Sequence, residues 1–149
     1  MSETAVLTAD QARSLRCLAG MMIPASNAYH VPSAADDAIF ADILRSFGRD
    51  AADVQAAMRT LEELAGGVFA DLDAARQQAV AARFREIGGE PLTLLSRIIL
   101  QCYYRDDRVM RSLDMEVRPP FPKGFAVEQG DWALLDPVRR RGKLYRDVE

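Results

Sequence analysis

The chain predicts an all-α protein: a compact bundle of about five helices followed by a long, mostly irregular C-terminal arm. Three observations predict it. Apolar residues recur at three- and four-residue spacing from Ala9 to Leu113, and no run there alternates as a strand would. Caps and stops punctuate those segments at Thr8, Ser33, Gly48, Gly66-Gly67 and Gly88-Gly89. Beyond them sit four of the seven prolines, Pro119, Pro120, Pro122 and Pro137. Proline lacks an amide hydrogen and biases its predecessor away from helix, so an extended path is expected. Residues 1–114 read as the helical domain and 115–149 as the arm.

Each element has its own warrant. Thr8-Ala9-Asp10-Gln11 is a capping box, and the helix it opens carries Leu15, Leu18, Ala19 and Met22 on one face before Pro24. After the loop PASNAYHVPS, Ser33 is expected to cap a second helix with Asp36 and Asp37 in its first turn. Its buried face is predicted as Ile39, Phe40, Ile43, Leu44 and Phe47. A third helix, from about Asp50 to Ala65, buries Val54, Met58, Leu61 and Leu64 and stops at Gly66-Gly67. Asp71 or Asp73 opens a fourth, Ala74 to Ile87. Pro91 sits in the first turn of a fifth, where its missing amide costs nothing. That helix, LTLLSRIILQCYY, is apolar nearly all round and should be the most buried. A short helical turn follows, Asp107 to Leu113.

Composition excludes several functions. At 149 residues and 49% hydrophobic content the chain suits one domain with a moderate core, plus the arm. Residues 1–90 carry 8 basic and 13 acidic groups, a balance of −5; residues 91–149 carry 11 and 9, a balance of +2. The basic run Arg139, Arg140, Arg141, Lys143 and Arg146 is interrupted by Leu144 and Tyr145. With no other phosphate-contacting set, it reads as a solvated edge or a contact with an acidic protein surface rather than with nucleic acid. No apolar stretch approaches the roughly 18 residues that span a bilayer, so no membrane insertion is expected. MSETAVLTADQ has neither the form of an export signal nor a twin-arginine pair, which points to the cytoplasm unless a partner carries the chain out. Cys17 and Cys102 read as reduced thiols behaving as small hydrophobes; a disulfide requires their helices to lie side by side.

The residues offer little chemistry. His30 is the single histidine, alone in a loop, with no partners for a zinc site. No Cys-x-x-Cys-His occurs, and the glycine pairs end helices rather than cradle phosphates. Asp106-Asp107, flanked by Arg105 and Arg108, reads as a helix cap with ion pairs. Ser26 and Ser96 have no nearby base. No catalytic, cofactor-binding or metal residue is therefore assigned in this chain. The arm is different. A disordered tail is poor in apolar residues, yet this one scatters Phe121, Phe125, Trp132, Leu134, Leu135, Val138, Leu144 and Tyr145 among its prolines. Such anchors suit burial on the chain's own helical body or on a larger partner; the partner is the favoured reading, with Phe121, Phe125, Trp132, Leu135, Arg139, Arg140 and Tyr145 as the expected partner-binding residues.

The order of the segments carries a resemblance. LTADQARSLRCLAGMMIPAS resembles the opening of the gluconate 2-dehydrogenase subunit 3 family, with its Leu-Thr, leucine–alanine helix and Ile-Pro-Ala. FADLDAARQQAVAARF (Phe69 to Phe84) is similar to that family's Phe-x-x-Leu and glutamine-bearing helix. IILQCYYRDDRV (Ile98 to Val109) is similar to its apolar helix ending in aromatics. The resemblance spans residues 7–110; the family's glycine-rich ending with a Gly-Trp pair is replaced here, and no twin-arginine signal is present. It implies a non-catalytic small subunit of a heteromeric alcohol or sugar dehydrogenase or oxidase. The partner would be a large FAD-dependent catalytic subunit of the glucose-methanol-choline (GMC) type, in a hetero-oligomer of higher order if several copies assemble. FAD would belong to that partner, and the small chain would assist its folding, stability or export. Two other readings stand beside it: an independent helical adaptor or regulator with another protein partner, and a cofactor-independent enzyme using His30.

Overall fold

The computed structural model describes residues 6–117, 128–144 and 146. It divides into two compact units, Met1–Val117 and Arg118–Glu149. Among the described residues the fold is all-α, with one isolated bridge, Ser26 to Val31, as the only extended pairing.

The first unit holds six helices: α1 (Ala9–Met22), α2 (Asp37–Arg45), α3 (Ala51–Ala65), α4 (Ala74–Ile87), α5 (Glu90–Tyr104) and α6 (Asp107–Ser112). Single 3-10 turns precede α3 (Gly48–Asp50) and α4 (Phe69–Asp71). The capping box of α1 is complete: the Gln11 amide donates to Thr8 Oγ1 and the Thr8 amide to Gln11 Oε1, each at 3.1 Å. Asp73 caps α4 and Asp106 caps α6. α3 ends on Gly66, whose φ of 67° an L side chain resists.

The start of α2 differs from the sequence expectation. Asp36 is its cap, accepting from the Ala38 amide at 3.1 Å. Ser33 instead donates to the Ile23 carbonyl and accepts from the Ala35 amide, closing the turn before the helix. Asp36 takes the cap because Ser33 is engaged by the turn and Asp37 is already the first residue of the helix. At Gly20 α1 passes so close to this turn that an added Cβ would lie 3.1 Å from Ala35 Cβ.

Packing centres on α3 and α5, the most extensive helix pair. Val54, Met58 and Leu61 of α3 and Leu95, Ile99 and Cys102 of α5 are almost wholly excluded from solvent. α2 adds Ile39, Phe40 and Ile43 from one stripe, with Phe47 just beyond its end. α5 has the most buried residues of any helix, as expected, but it is not buried all round. Leu100 is 38% exposed and Tyr104 53%. Met22 and Leu44 also lie exposed, at the edges of their stripes. α4 sits outermost, burying only Phe84. Ser14, fully buried in α1, accepts from the Ala70 amide and joins α1 to the turn before α4.

The second unit is less irregular than its prolines predict. Trp132–Leu135 form a 3-10 turn that runs into α7 (Asp136–Arg140). Asp131 accepts from the Ala133 amide and so caps the turn. Pro137 falls in the first turn of α7, where a proline has no bond to lose.

Candidate docking surfaces

Residues suited to chemistry are either structural or isolated. His30 is exposed at the end of a tight turn closed by the reciprocal Ser26–Val31 hydrogen bonds. Its φ of 53° reflects the turn geometry. Cys102 lies beside a guanidinium, a setting that elsewhere activates thiols: Arg105 Nη2 is 3.5 Å from its Sγ. Here burial dominates and pushes the thiol up, with the Ser46 hydrogen bond opposing it. Arg105 is instead committed to Asp42 at 2.6 Å and to Ser46 Oγ at 2.6 Å. Cys17 is also pushed up by burial, and both thiols are free.

Asp106 and Asp107 behave as structural carboxylates. Asp106 caps α6 and shares Arg108 with Asp36, while Asp107 pairs with Arg111 at 3.4 Å. Hydrogen bonds from Arg108 hold Asp36 and Asp106 below the usual carboxylate range, against a smaller opposing effect of burial. Among the described residues no group of histidine, cysteine and carboxylates is placed to hold a metal. No buried side-chain nitrogen or oxygen among them lacks a hydrogen-bond partner, so no polar group is held waiting for a ligand inside the core.

The arm presents the first docking surface. Trp132, Leu134, Leu135 and Val138 are exposed, Leu134 at 74% and Trp132 at 58%. Helical spacing puts Leu134 next to Val138, and Leu135 next to Val138, along one stripe. Arg139 and Arg140 flank it; Arg139 is partly neutralised by Asp136 at 3.5 Å. Of the seven residues expected to bind a partner, the structure therefore gathers Trp132, Leu135, Arg139 and Arg140 on one short helical segment. Phe121, Phe125 and Tyr145 lie outside the described residues.

The second surface was not among the sequence expectations. A groove of about 410 Å³ runs between α1, α4 and α5. α1 contributes Leu18, Met21 and Met22; α4 contributes Gln78, Ala81, Ala82 and Arg85. Leu92 and Ser96 of α5 complete the walls over a floor of Phe84 from α4 and Leu95 and Ile99 from α5. The sequence signal was present as a second apolar stripe on α1, displaced from the Leu15–Ala19 core stripe, and as the alanine pair in α4. The small alanine side chains leave the space.

Among the described residues no helix is long and apolar enough to cross a membrane. Compared with protein-family models, with curated proteins and with solved structures, the chain matches none.

Proposed function

We propose that this chain is the non-catalytic small subunit of a heteromeric FAD-dependent dehydrogenase or oxidase of the GMC type. It binds the large flavoprotein subunit and stabilises its folded form. The observation that carries the reading is the exposed apolar stripe of the arm, Trp132, Leu134, Leu135 and Val138, flanked by Arg139 and Arg140. Burying one such side chain contributes about 1.5–3 kcal/mol. A helix as short as α7 is marginal alone, so the stripe gains most when a partner covers it. Binding to the folded partner then shifts that partner's folding equilibrium by mass action.

The order of the segments spanning residues 7–110, similar to the subunit 3 family, supports the choice of partner. The structural roles of Cys102, Asp106 and Asp107 support assigning substrate oxidation and FAD to the large chain.

Co-expression with the long flavoprotein reading frame expected beside its gene tests the proposal. A stable complex is expected, with flavin absorbance and with the flavoprotein's soluble yield dependent on the small chain. Equal yield and activity of the flavoprotein without it would overturn the reading. Stable assembly with a protein that holds no flavin would favour the independent adaptor.

A further inference from the structure

The groove between α1, α4 and α5 has a chemistry of its own. Its floor and most of its walls are apolar, aliphatic and thioether groups with the Phe84 ring, and its polar groups are few: Gln78, Ser96 and Arg85. Arg85 is exposed, so it stands at the mouth. Its neighbours on α4 are paired, Arg83 with Glu86 at 3.1 Å and Arg76 with Asp73 at 3.8 Å. Arg85 enters no ion pair among the described residues. An unneutralised guanidinium over an apolar trough is complementary to a ligand with an anionic head and a hydrocarbon body.

The length of the groove suits an extended ligand. The lining residues of α4 run from Gln78 to Arg85 and those of α5 from Leu92 to Ile99. Seven residues of helix extend about 10.5 Å. An extended alkyl chain can lie along that length, and the flexible thioethers of Met21 and Met22 adapt to its outline.

We propose that this groove binds an alkyl carboxylate, its chain lying along Met21, Leu92 and Ile99 and its head group held by Arg85. The proposal does not depend on the flavoprotein reading.

The test is a titration of the full chain with decanoate and, separately, with decanol, each below its aggregation limit. Methyl resonances of the methionines and calorimetry supply the readouts. Decanoate is expected to shift the Met21 and Met22 signals and to bind more tightly than decanol. Arg85→Gln, at an exposed position, should weaken decanoate about ten-fold, the low end of a charge-assisted hydrogen bond, and leave decanol unchanged. Ala82→Leu, which fills the trough from an exposed site, should weaken both. Unmoved Met21 and Met22 signals would overturn the proposal, as would equal decanoate affinity in Arg85→Gln. So would signals that respond only to an amphipathic peptide, which would assign the groove to a protein partner.

Discussion

Arg108 is the joint between α6 and α2, and its replacement by methionine makes a quantitative test. Its guanidinium grips two carboxylates. Nη1 and Nη2 donate to Asp36 at 3.1 and 2.7 Å, and Nε and Nη2 donate to Asp106, each at 3.0 Å. Both acids also cap helices, Asp36 that of α2 and Asp106 that of α6. The carboxylates are 28% and 15% exposed and the arginine 44%, so solvent screens the pairs incompletely. Exposed pairs contribute roughly 0.2–1 kcal/mol, and bidentate geometry lies at the upper end. For two such pairs the expected loss in Arg108→Met is about 1–2 kcal/mol at neutral pH. At this chain length that lowers Tm by about 2–8 °C.

The sign with pH follows from the carboxylates. Both are held below their ordinary range in the folded state. Their contribution is therefore complete above the unfolded carboxylate pKa, about 4, and is lost as pH falls through the folded value. Urea unfolding followed by circular dichroism should show the parent–variant difference at pH 7 narrowing steadily below about pH 5. Arg108→Lys, which keeps the charge but not the fork, should recover part of the loss. A difference of the same size at every pH would mean that only packing was lost, and no difference at pH 7 would refute the joint.

Three further outcomes are expected. Deleting residues 118–149 should leave the helical circular-dichroism signal largely intact, since α7 has only 5 residues, while abolishing co-purification with the proposed flavoprotein partner; unchanged affinity would refute the arm as the anchor. Leu61→Ala and Leu95→Ala should each cost about 2–5 kcal/mol in urea unfolding, with Leu95 at the lower end because its cavity opens into the groove. A loss near zero at Leu61 would place α3 at a wet surface. His30→Gly should be stabilising or neutral, since glycine adopts φ 53° without strain, and should keep the turnover of the proposed complex within a few-fold. A fall of about 100-fold or more, with flavin content unchanged, would bring His30 into the active site.

Local chemistry explains which parts of the fold were legible in the sequence. Thr8, Gly66 and Asp106 each supply a hydrogen bond or a backbone conformation that few other residues supply, so the helices they bound could be placed to within a residue or two. Ser33 reads as the cap of α2, with Asp36 inside the first turn, and only the folded turn, with the Ile23 carbonyl available to Ser33, passes the cap to Asp36. In the arm, four prolines argued for an extended path, yet a proline in the first turn of α7 is compatible with helix. The apolar arm residues could be named in advance because nothing in a small bundle obviously receives them. The groove could not, because it is a space between three helices, and spacing along one helix says nothing about how far away the next one lies.

That difference accounts for α5. An apolar pattern on every side predicts a helix enclosed on every side. α5 instead faces several environments at once. Leu94, Ile98 and Cys102 are buried, Leu92, Leu95 and Ile99 line the groove, and Leu100 and Tyr104 face outward. Each environment accepts apolar side chains, so their sum looks like full burial although solvent reaches part of the helix. If the groove binds a hydrocarbon chain, Leu92 should lose exposure on binding while Leu100 does not. Amide and methyl protection on α5 should then increase on one face only, a pattern that a uniformly buried helix could not produce.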